Sequence, residues 1–226
     1  NIVKSKNLKA LVTAGPTREY LDPVRYISNE SSGKQGFEIA DALSRLGIKT
    51  TLITGPSNLS SRKDIKTKKI ITANEMYEAV KKCLPVDIAI CTAAVADFKP
   101  IKKSKIKIKK ENIKFKSIEL ERNRDIVEFL GKNNKHRPSL VIGFAAETEN
   151  INRNAFSKLK QKNCDLIVVN DVSKKDSGLN SDYNRVSIID NSGKIKVIKK
   201  NKKSFIANII AEIVLDKLLI NDRSFN

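Results

Sequence analysis

Short apolar runs of strand length alternate with stretches of helical periodicity along nearly the whole chain. This alternation restricts the possible folds more than any other property of the sequence. Residues 10–13, 49–54, 87–91, 140–144 and 166–169 read as strands. Residues 36–46, a segment opening at Thr72 and closing near Cys83, and residues 126–130, 151–161 and 204–219 read as helices. Strands so short and so uniformly apolar are buried on both faces, as in a parallel sheet covered by helices. Thr72 followed by Glu75 is a capping-box signature, in which each side chain satisfies a backbone N–H of the other residue. Residues 186–189 and 195–198, joined across Asn191-Ser192-Gly193, read as a hairpin. The expectation is one α/β domain over 1–226: a Rossmann-like, doubly wound, mostly parallel sheet with antiparallel strands at one edge.

One segment breaks the pattern. Between residues 99 and 116, nine lysines interleave with Ile101, Ile106, Ile108, Ile113 and Phe115. Part of the run alternates with period two, as a half-exposed hairpin arm would. The plain reading of this flap (about 99–118) is a solvated loop. The functional reading is a mobile lid that carries a lysine to a polyphosphate.

The formal net charge of +19 invites a nucleic-acid-binding basic module as an alternative function. Lysine outnumbers arginine 34 to 10, whereas base contacts favour arginine, and aromatics make up only 5%, too few for a stacking platform. A solvated lysine surface is the expectation, with no nucleic-acid partner. Cys83, Cys91 and Cys164 are isolated, without CxxC spacing, and suit buried reduced thiols in a cytoplasmic protein. A single histidine, His136, excludes a Ser-His-Asp triad and a histidine-based zinc site, so no protein-held metal is expected. No apolar run is long enough to span a bilayer and the first residues carry no signal-peptide pattern, so no membrane partner is expected.

The chemistry concentrates between Leu11 and Gly36. An apolar strand breaks at Gly15-Pro16, runs through a polar loop and enters a helix at Ser31-Ser32-Gly33-Lys34. Unpaired N–H groups at such a helix start form a phosphate cradle. Neither common phosphate motif is present: Gln35 stands where a Walker loop needs Ser or Thr, and Ser31 replaces the first glycine of GxGxxG. Within this stretch Gly15 allows unusual backbone angles or close ligand approach. Arg25 can hold a phosphate or pair with Asp22. Asn29 can cap the following helix or use its amide on a substrate. Further on, Asp97 ends a strand, where open α/β sheets bind ligands. Lys158 and Lys162 share one helical face, able to reach a phosphate together or simply to face solvent. Tyr77-x-x-x-Lys81 raises a short-chain dehydrogenase as a rival, though the pair falls before the third strand and no GxGxxG accompanies it.

Several of these stretches resemble one family in the same order. TAGPTRE, LDPVRYISN and SSGKQG in the first hundred residues, AAVADF at 93–98, KIKK at 107–110, GFAAET at 143–148 and VNDVS at 169–173 are similar to phosphopantothenate–cysteine ligase. That enzyme is the synthetase part of the bacterial bifunctional coenzyme A biosynthesis flavoprotein. The resemblance covers roughly residues 8 to 220. It implies formation of 4′-phosphopantothenoyl-cysteine from 4′-phosphopantothenate and L-cysteine, with CTP consumed through an acyl-cytidylate and released as CMP and pyrophosphate. It implies Mg²⁺ accompanying CTP, a homodimer, and no flavin in this chain. CTP is expected because KIKK and AAVADF look like the bacterial branch, whereas the eukaryotic branch uses ATP.

Carried over residue by residue, the resemblance implies that Asn29 serves conversion of the acyl-cytidylate. Lys107, the first lysine of KIKK, serves activation, although Lys105 offers the same pattern two residues earlier. Gly15, Ala93, Ala94, Asp97, Lys107, Arg124, Asp125, Ile126, Val127, Phe144, Lys158 and Lys162 are the implied nucleotide contacts. Asn29 and Arg25 are the expected contacts to phosphopantothenate, while the phosphate bound by the first loop, the nucleotide's or the pantothenate's, stays open. Arg124 departs from the family's usual proline, which puts the contacts of that side chain in doubt. The chain opens at Asn1 directly into a polar lead, which suits a domain taken from a longer protein. A flavin-dependent decarboxylase domain would precede it in the bacterial family.

Overall fold

A computed structural model describes residues 7–109, 117–133, 135–147, 151–171 and 181–223. Eight strands form the central sheet: β1 (Lys9–Ala14), β4 (Lys49–Thr54), β5 (Lys66–Lys69), β6 (Ile88–Cys91), β9 (Leu140–Glu147), β10 (Leu166–Asp171), β11 (Tyr183–Asp190) and β12 (Ile195–Lys202). Their order is β12-β11-β10-β9-β6-β1-β4-β5. All neighbours from β10 to β5 are parallel, and β11 and β12 add antiparallel strands at one edge. The expected doubly wound sheet is therefore the observed one. The helices are α1 (Lys34–Arg45), α2 (Ala73–Cys83), α3 (Ile126–Lys132), α4 (Ile151–Lys162) and α5 (Lys203–Arg223).

Successive residues of each central strand point to opposite faces, so each strand feeds two cores. Val12, Leu52, Ile90, Ile142 and Val168 pack under α1 and α5 with Leu43, Ile206 and Ile210. Leu11, Ile53, Ala89, Val141 and Ile167 pack under α2, α3 and α4 with Met76, Val80, Leu130 and Leu159. Burying one such aliphatic side chain stabilises by about 1.5–3 kcal/mol. The expected capping box is present: Thr72 Oγ1 accepts from Glu75 N at 3.2 Å, and Glu75 Oε2 accepts from Thr72 N at 3.2 Å.

Three short features were not expected. β5 carries the sequence KTKK and is exposed at all four positions, so it has no apolar periodicity; its backbone pairing to β4 makes it a strand. Within the first loop, β2 (Arg18–Tyr20) and β3 (Tyr26–Ser28) pair as an antiparallel ribbon. β7 (Phe98–Pro100) pairs with β8 (Leu120–Arg122), closing the base of the flap. The flap's residues 101–109 carry no strand. Lys110, Ile113 and Phe115 of the flap, Thr148 of GFAAET, and Val172 and Ser173 of VNDVS lie outside the described residues.

The topology locates a crevice. β1 is flanked by β4 on one side and β6 on the other, so the strand order reverses between β1 and β6. Ligands in doubly wound sheets bind beyond the carboxyl ends of the strands at such a reversal.

Candidate active site

Beyond β1 and β6 the two chains continue side by side and build one wall of a cleft. Thr92 N donates to Thr13 O at 3.1 Å, Ala94 N to Gly15 O at 2.9 Å, and Ala96 N to Thr17 Oγ1 at 3.0 Å. Pro16 and Ala94 form an isolated parallel bridge. The small side chains of Ala93 and Ala94 leave this backbone approachable. Gly15 makes the turn out of β1 at φ +74°, in the left-handed region.

The cleft has a volume of about 1010 Å³; it starts at the carboxyl end of β6, runs along β9 from Gly143 to Ala146 and touches β10 at Ile167. Ala93, Ala94, Asp97, Arg124, Asp125, Ile126, Val127, Phe144, Lys158 and Lys162 line it, with Asn29 at one rim. The structure thus brings together eleven of the fourteen residues singled out in the sequence. Gly15, Arg25 and Lys107 are not among the lining residues.

Asn29 has a defined place. Its Nδ2 donates to the Val95 carbonyl at 3.0 Å, which holds the amide over the 93–97 wall. It does not cap α1, whose N-cap is Gly33 at φ +79° with no side-chain cap bond. The spacing left capping and substrate contact open; the geometry removes the capping role.

Asp125 caps α3, accepting from Glu128 N at 2.9 Å, and its second oxygen lies 2.9 Å from Lys162 Nζ. Lys162 is thereby held against the cleft floor beside Lys158, one turn away. Arg124 lines the cleft, but its guanidinium is drawn to α2. Its guanidinium reaches Glu78 Oε1 at 3.2 Å and lies 4.8 Å from the Tyr77 ring centroid, and Tyr77 in turn packs on Phe129. Tyr77 therefore belongs to a packing stack on α2, outside the cleft, and Lys81 is exposed on the same helix. The dehydrogenase rival has no dyad at the crevice.

Arg25 pairs with Asp22, its Nε donating to Asp22 Oδ2 at 3.0 Å. The pair reaches the flap: Arg25 Nη2 donates to Ile108 O at 2.7 Å, and Ile108 N donates to Asp22 Oδ2 at 3.1 Å. Ser104 N adds a bond to Leu21 O at 2.9 Å. The described part of the flap therefore lies down on the first loop, with Lys107 exposed beside it. Asp22 is fully buried, and the Arg25 guanidinium holds its carboxyl far below the usual range, against the opposing effect of burial.

A small recess opens where α1 begins, between Ser31, Ser32, Lys34, Asn170 and Lys203. Lys203 is 3% exposed, and burial, followed by repulsion from Lys34, pushes its ammonium down to about 8. Lys34 pairs with Asp182 at 2.6 Å. The third glycine of the broken GxGxxG keeps its packing role. A Cβ on Gly36 would stand 2.4 Å from Thr92 Oγ1 and 2.5 Å from the Ala14 Cβ, so only glycine lets α1 sit this close to β1.

Sequence reasoning missed Asn123 and Lys203. Asn123 Nδ2 donates to Ala96 O at 2.8 Å and ties the start of α3 to the Ala93–Ala96 wall. Its signal was faint, a lone Asn before a helix cap. Lys203 was hidden in a run of surface lysines. Cys91 and Cys164 sit buried beneath the cleft, and burial raises both thiols to about 12, as expected of inert core cysteines. Among the described residues, no group of three or more His, Cys, Asp or Glu could hold a metal.

The family model described as "DNA/pantothenate metabolism flavoprotein C-terminal domain" matches residues 5–218. The chain is 42% identical over 210 residues to the coenzyme A biosynthesis bifunctional protein CoaBC of Haemophilus influenzae, covering 92% of this chain and 52% of that protein. It is 42% identical over 217 residues to the CoaBC protein of Escherichia coli K12, covering 95% and 52%. The chain thus spans about half the length of the curated relatives it matches. Among solved structures, the C-terminal domain of a CoaBC protein superposes with TM-score 0.79 at 35% identity, over 96% of this chain and 97% of that one. A Cab2 variant in complex with phosphopantothenate-cysteine shares the fold, with TM-score 0.76 at 16% identity, over 98% and 90%.

Proposed function

The chain belongs to the family of the DNA/pantothenate metabolism flavoprotein C-terminal domain, and we propose that it is a CTP-dependent phosphopantothenate–cysteine ligase acting in coenzyme A biosynthesis. One observation carries this reading: a single cleft at the strand-order reversal gathers a held amide, Asn29, a wall of small residues, Ala93 and Ala94, and two lysines, Lys158 and Lys162. Such a site aligns reactants and neutralises phosphate charge.

In the first step, a carboxylate oxygen of 4′-phosphopantothenate attacks the α-phosphorus of CTP and pyrophosphate leaves. In the second, the cysteine amine attacks the acyl carbon, CMP leaves, and the amine loses a proton. Lys158 and Lys162 face the cleft where negative charge accumulates on the phosphates. Phe144 offers a face for the base, and the backbone beside Ala93 and Ala94 is open to close contact. Asp97, exposed at the end of the same wall, is a nucleotide contact. Asn29 donates one N–H to Val95, which leaves its second N–H for the acyl carbonyl and its oxygen for the incoming amine. Arg25, released from Asp22, and Lys107, carried by the flap, complete the site. Mg²⁺ would ride on the triphosphate, held chiefly by phosphate oxygens and supplying charge neutralisation there.

The partners follow from the same reading. Phe98, Ile101, Ile118, Leu120, Val24 and Tyr26 are exposed on and around the β2–β3 and β7–β8 ribbons, an apolar surface suited to a second copy in a homodimer. A flavin-dependent decarboxylase domain is the proposed partner within a longer protein. Among the described residues no helix is long and apolar enough to cross a membrane, and the proposed location is the cytoplasm.

The test is product formation. Incubation with Mg²⁺, 4′-phosphopantothenate, L-cysteine and either CTP or ATP, followed by mass spectrometry, should give 4′-phosphopantothenoyl-cysteine faster with CTP. Equal or faster formation with ATP would reverse the choice of nucleotide. No product with either from folded protein would remove the ligase reading.

A further inference from the structure

On the other side of β1 from the active-site cleft, the structure holds a second pocket of about 510 Å³, over the carboxyl end of β4. The volume falls within the range of ordinary small-molecule sites. Its two halves have opposite chemistry. Phe37, Leu59, Ile70 and Ile71 give an apolar side, and Leu59 and Ile71 are large apolar residues left exposed. Arg18 and Lys69 give a cationic side, and Ser57, Ser61 and Thr67 add hydroxyls. No Asp or Glu lines the pocket.

Arg18 is the informative residue. Its backbone N donates to Ile71 O at 2.8 Å, which fixes the residue at the pocket wall. Its guanidinium lies over the Tyr26 ring at 4.6 Å, so one face is already stacked. Its Nε is buried and has no hydrogen-bond partner. Among the described residues, no carboxylate pairs with Arg18 or Lys69. With no carboxylate paired to Arg18 or Lys69 and none lining the pocket, the positive charge on this side is left for an anionic ligand to neutralise. The acceptor that matches a guanidinium fork, an ammonium and several hydroxyls is a phosphate group.

The place in the fold narrows the ligand further. In doubly wound sheets the end of the strand after the first crossover is where a nucleotide's ribose is read, by an acid for a free hydroxyl or by an arginine for a phosphate. Here that strand is β4, and the pocket supplies an arginine and hydroxyls but no acid. Gly55 N donates to Ala14 O at 3.0 Å and Ser57 Oγ to Ser32 O at 3.0 Å, so the loop after β4 is fastened to the start of α1 and the pocket wall is rigid. We propose that this pocket is a second ligand site, separate from the active-site cleft, for a phosphomonoester carried on a compact apolar or planar body.

Phenyl phosphate is the probe, titrated calorimetrically into the full chain, with inorganic phosphate in a parallel titration. The site predicts saturable one-to-one binding of phenyl phosphate, tighter than inorganic phosphate because the apolar side contributes. Arg18→Met should weaken that binding about tenfold or more, the effect of losing a charged hydrogen bond. Lys69 is exposed on β5, so Lys69→Gln leaves folding intact, checked by circular dichroism, and should weaken binding severalfold by itself. Three results would each overturn the proposal: no saturation at about 1 mM, inorganic phosphate binding as tightly as phenyl phosphate, or affinities unchanged in both variants, which would place the probe in the cleft.

Discussion

Asn29 shows how little of a residue's role lies in its identity. Asn before a helix is a good cap and Asn in a site is a good amide, and only its bond to the Val95 carbonyl separates the two. On the proposed mechanism, Asn29→Asp retains the first step and loses the second. Rapid-quench mass spectrometry should find accumulated acyl-cytidylate, with product formation slowed about 10²-fold, the usual effect of removing one donor to a developing oxyanion; product at the wild-type rate would take Asn29 out of the mechanism. Lys203 makes a residue-scale prediction of a different kind. Its folded pKa, about 8, lies below the ordinary lysine value of 10.5, so between those two values the unfolded chain binds more protons than the native one. Stability contributed by this group therefore rises with pH from about 8 to 10.5 and is flat below and above that window. The thiols of Cys91 and Cys164, raised to about 12, act with the opposite sign at alkaline pH, so the measurement is a difference. Wild type minus Lys203→Met, by urea denaturation across pH 7 to about 10.5, should show the wild type gaining; a flat difference would mean Lys203 is not desolvated. Neither buried lysine nor held amide was legible in the sequence, because burial and long-range partners are properties of the folded chain.

At the scale of elements, the sheet was legible and the ribbons were not. The five strand and five helix signals came through because the helices carry apolar residues at helical spacing and the central strands, such as Ile88–Cys91, are unbroken apolar runs. Three-residue strands such as β2 and β8 contain too few side chains to show any period, and β5 is polar throughout. Their existence depends on backbone pairing across the chain. The approach of α1 to β1 at Gly36 gives a sharp test. Gly36→Ala inserts a methyl group where 2.4 Å separates it from Thr92 Oγ1. Overpacking of this kind costs about 1–3 kcal/mol, which should lower the melting temperature by a few degrees in calorimetry; an unchanged melting temperature would mean the helix shifts freely. The flap is governed by Asp22, which binds both Arg25 and the Ile108 N–H. Asp22→Asn should free residues 101–109, seen as faster tryptic cleavage among the flap lysines. Lowering the pH towards the ordinary carboxylate range should leave the wild-type flap in place, because the Asp22 carboxyl is held well below that range. Cleavage as slow in the variant as in the wild type would locate the anchor elsewhere.

For the whole molecule, a doubly wound sheet places eleven separately chosen residues in one cleft, although they are scattered from position 29 to position 162. The family motifs carried that convergence in the sequence, since no spacing rule links Asn29 to Lys162. Of the two arrangements open to Arg25 in the sequence, the fold takes the pairing with Asp22, and it leaves Lys107, a residue proposed for activation, exposed over the first loop. The proposed homodimer would cover the apolar side chains on the two ribbons. Sedimentation should find a dimer that Phe98→Asp dissociates, and a monomeric wild type would leave that surface without the proposed role. The central claim is a two-step ligation in which activation precedes and does not need cysteine. The most direct measurement is single-turnover pyrophosphate release from enzyme, Mg²⁺, CTP and 4′-phosphopantothenate with cysteine withheld. A burst that requires 4′-phosphopantothenate, followed by steady turnover once cysteine is added, is the predicted result. Pyrophosphate release that ignores 4′-phosphopantothenate, or that never begins before cysteine is present, would contradict it.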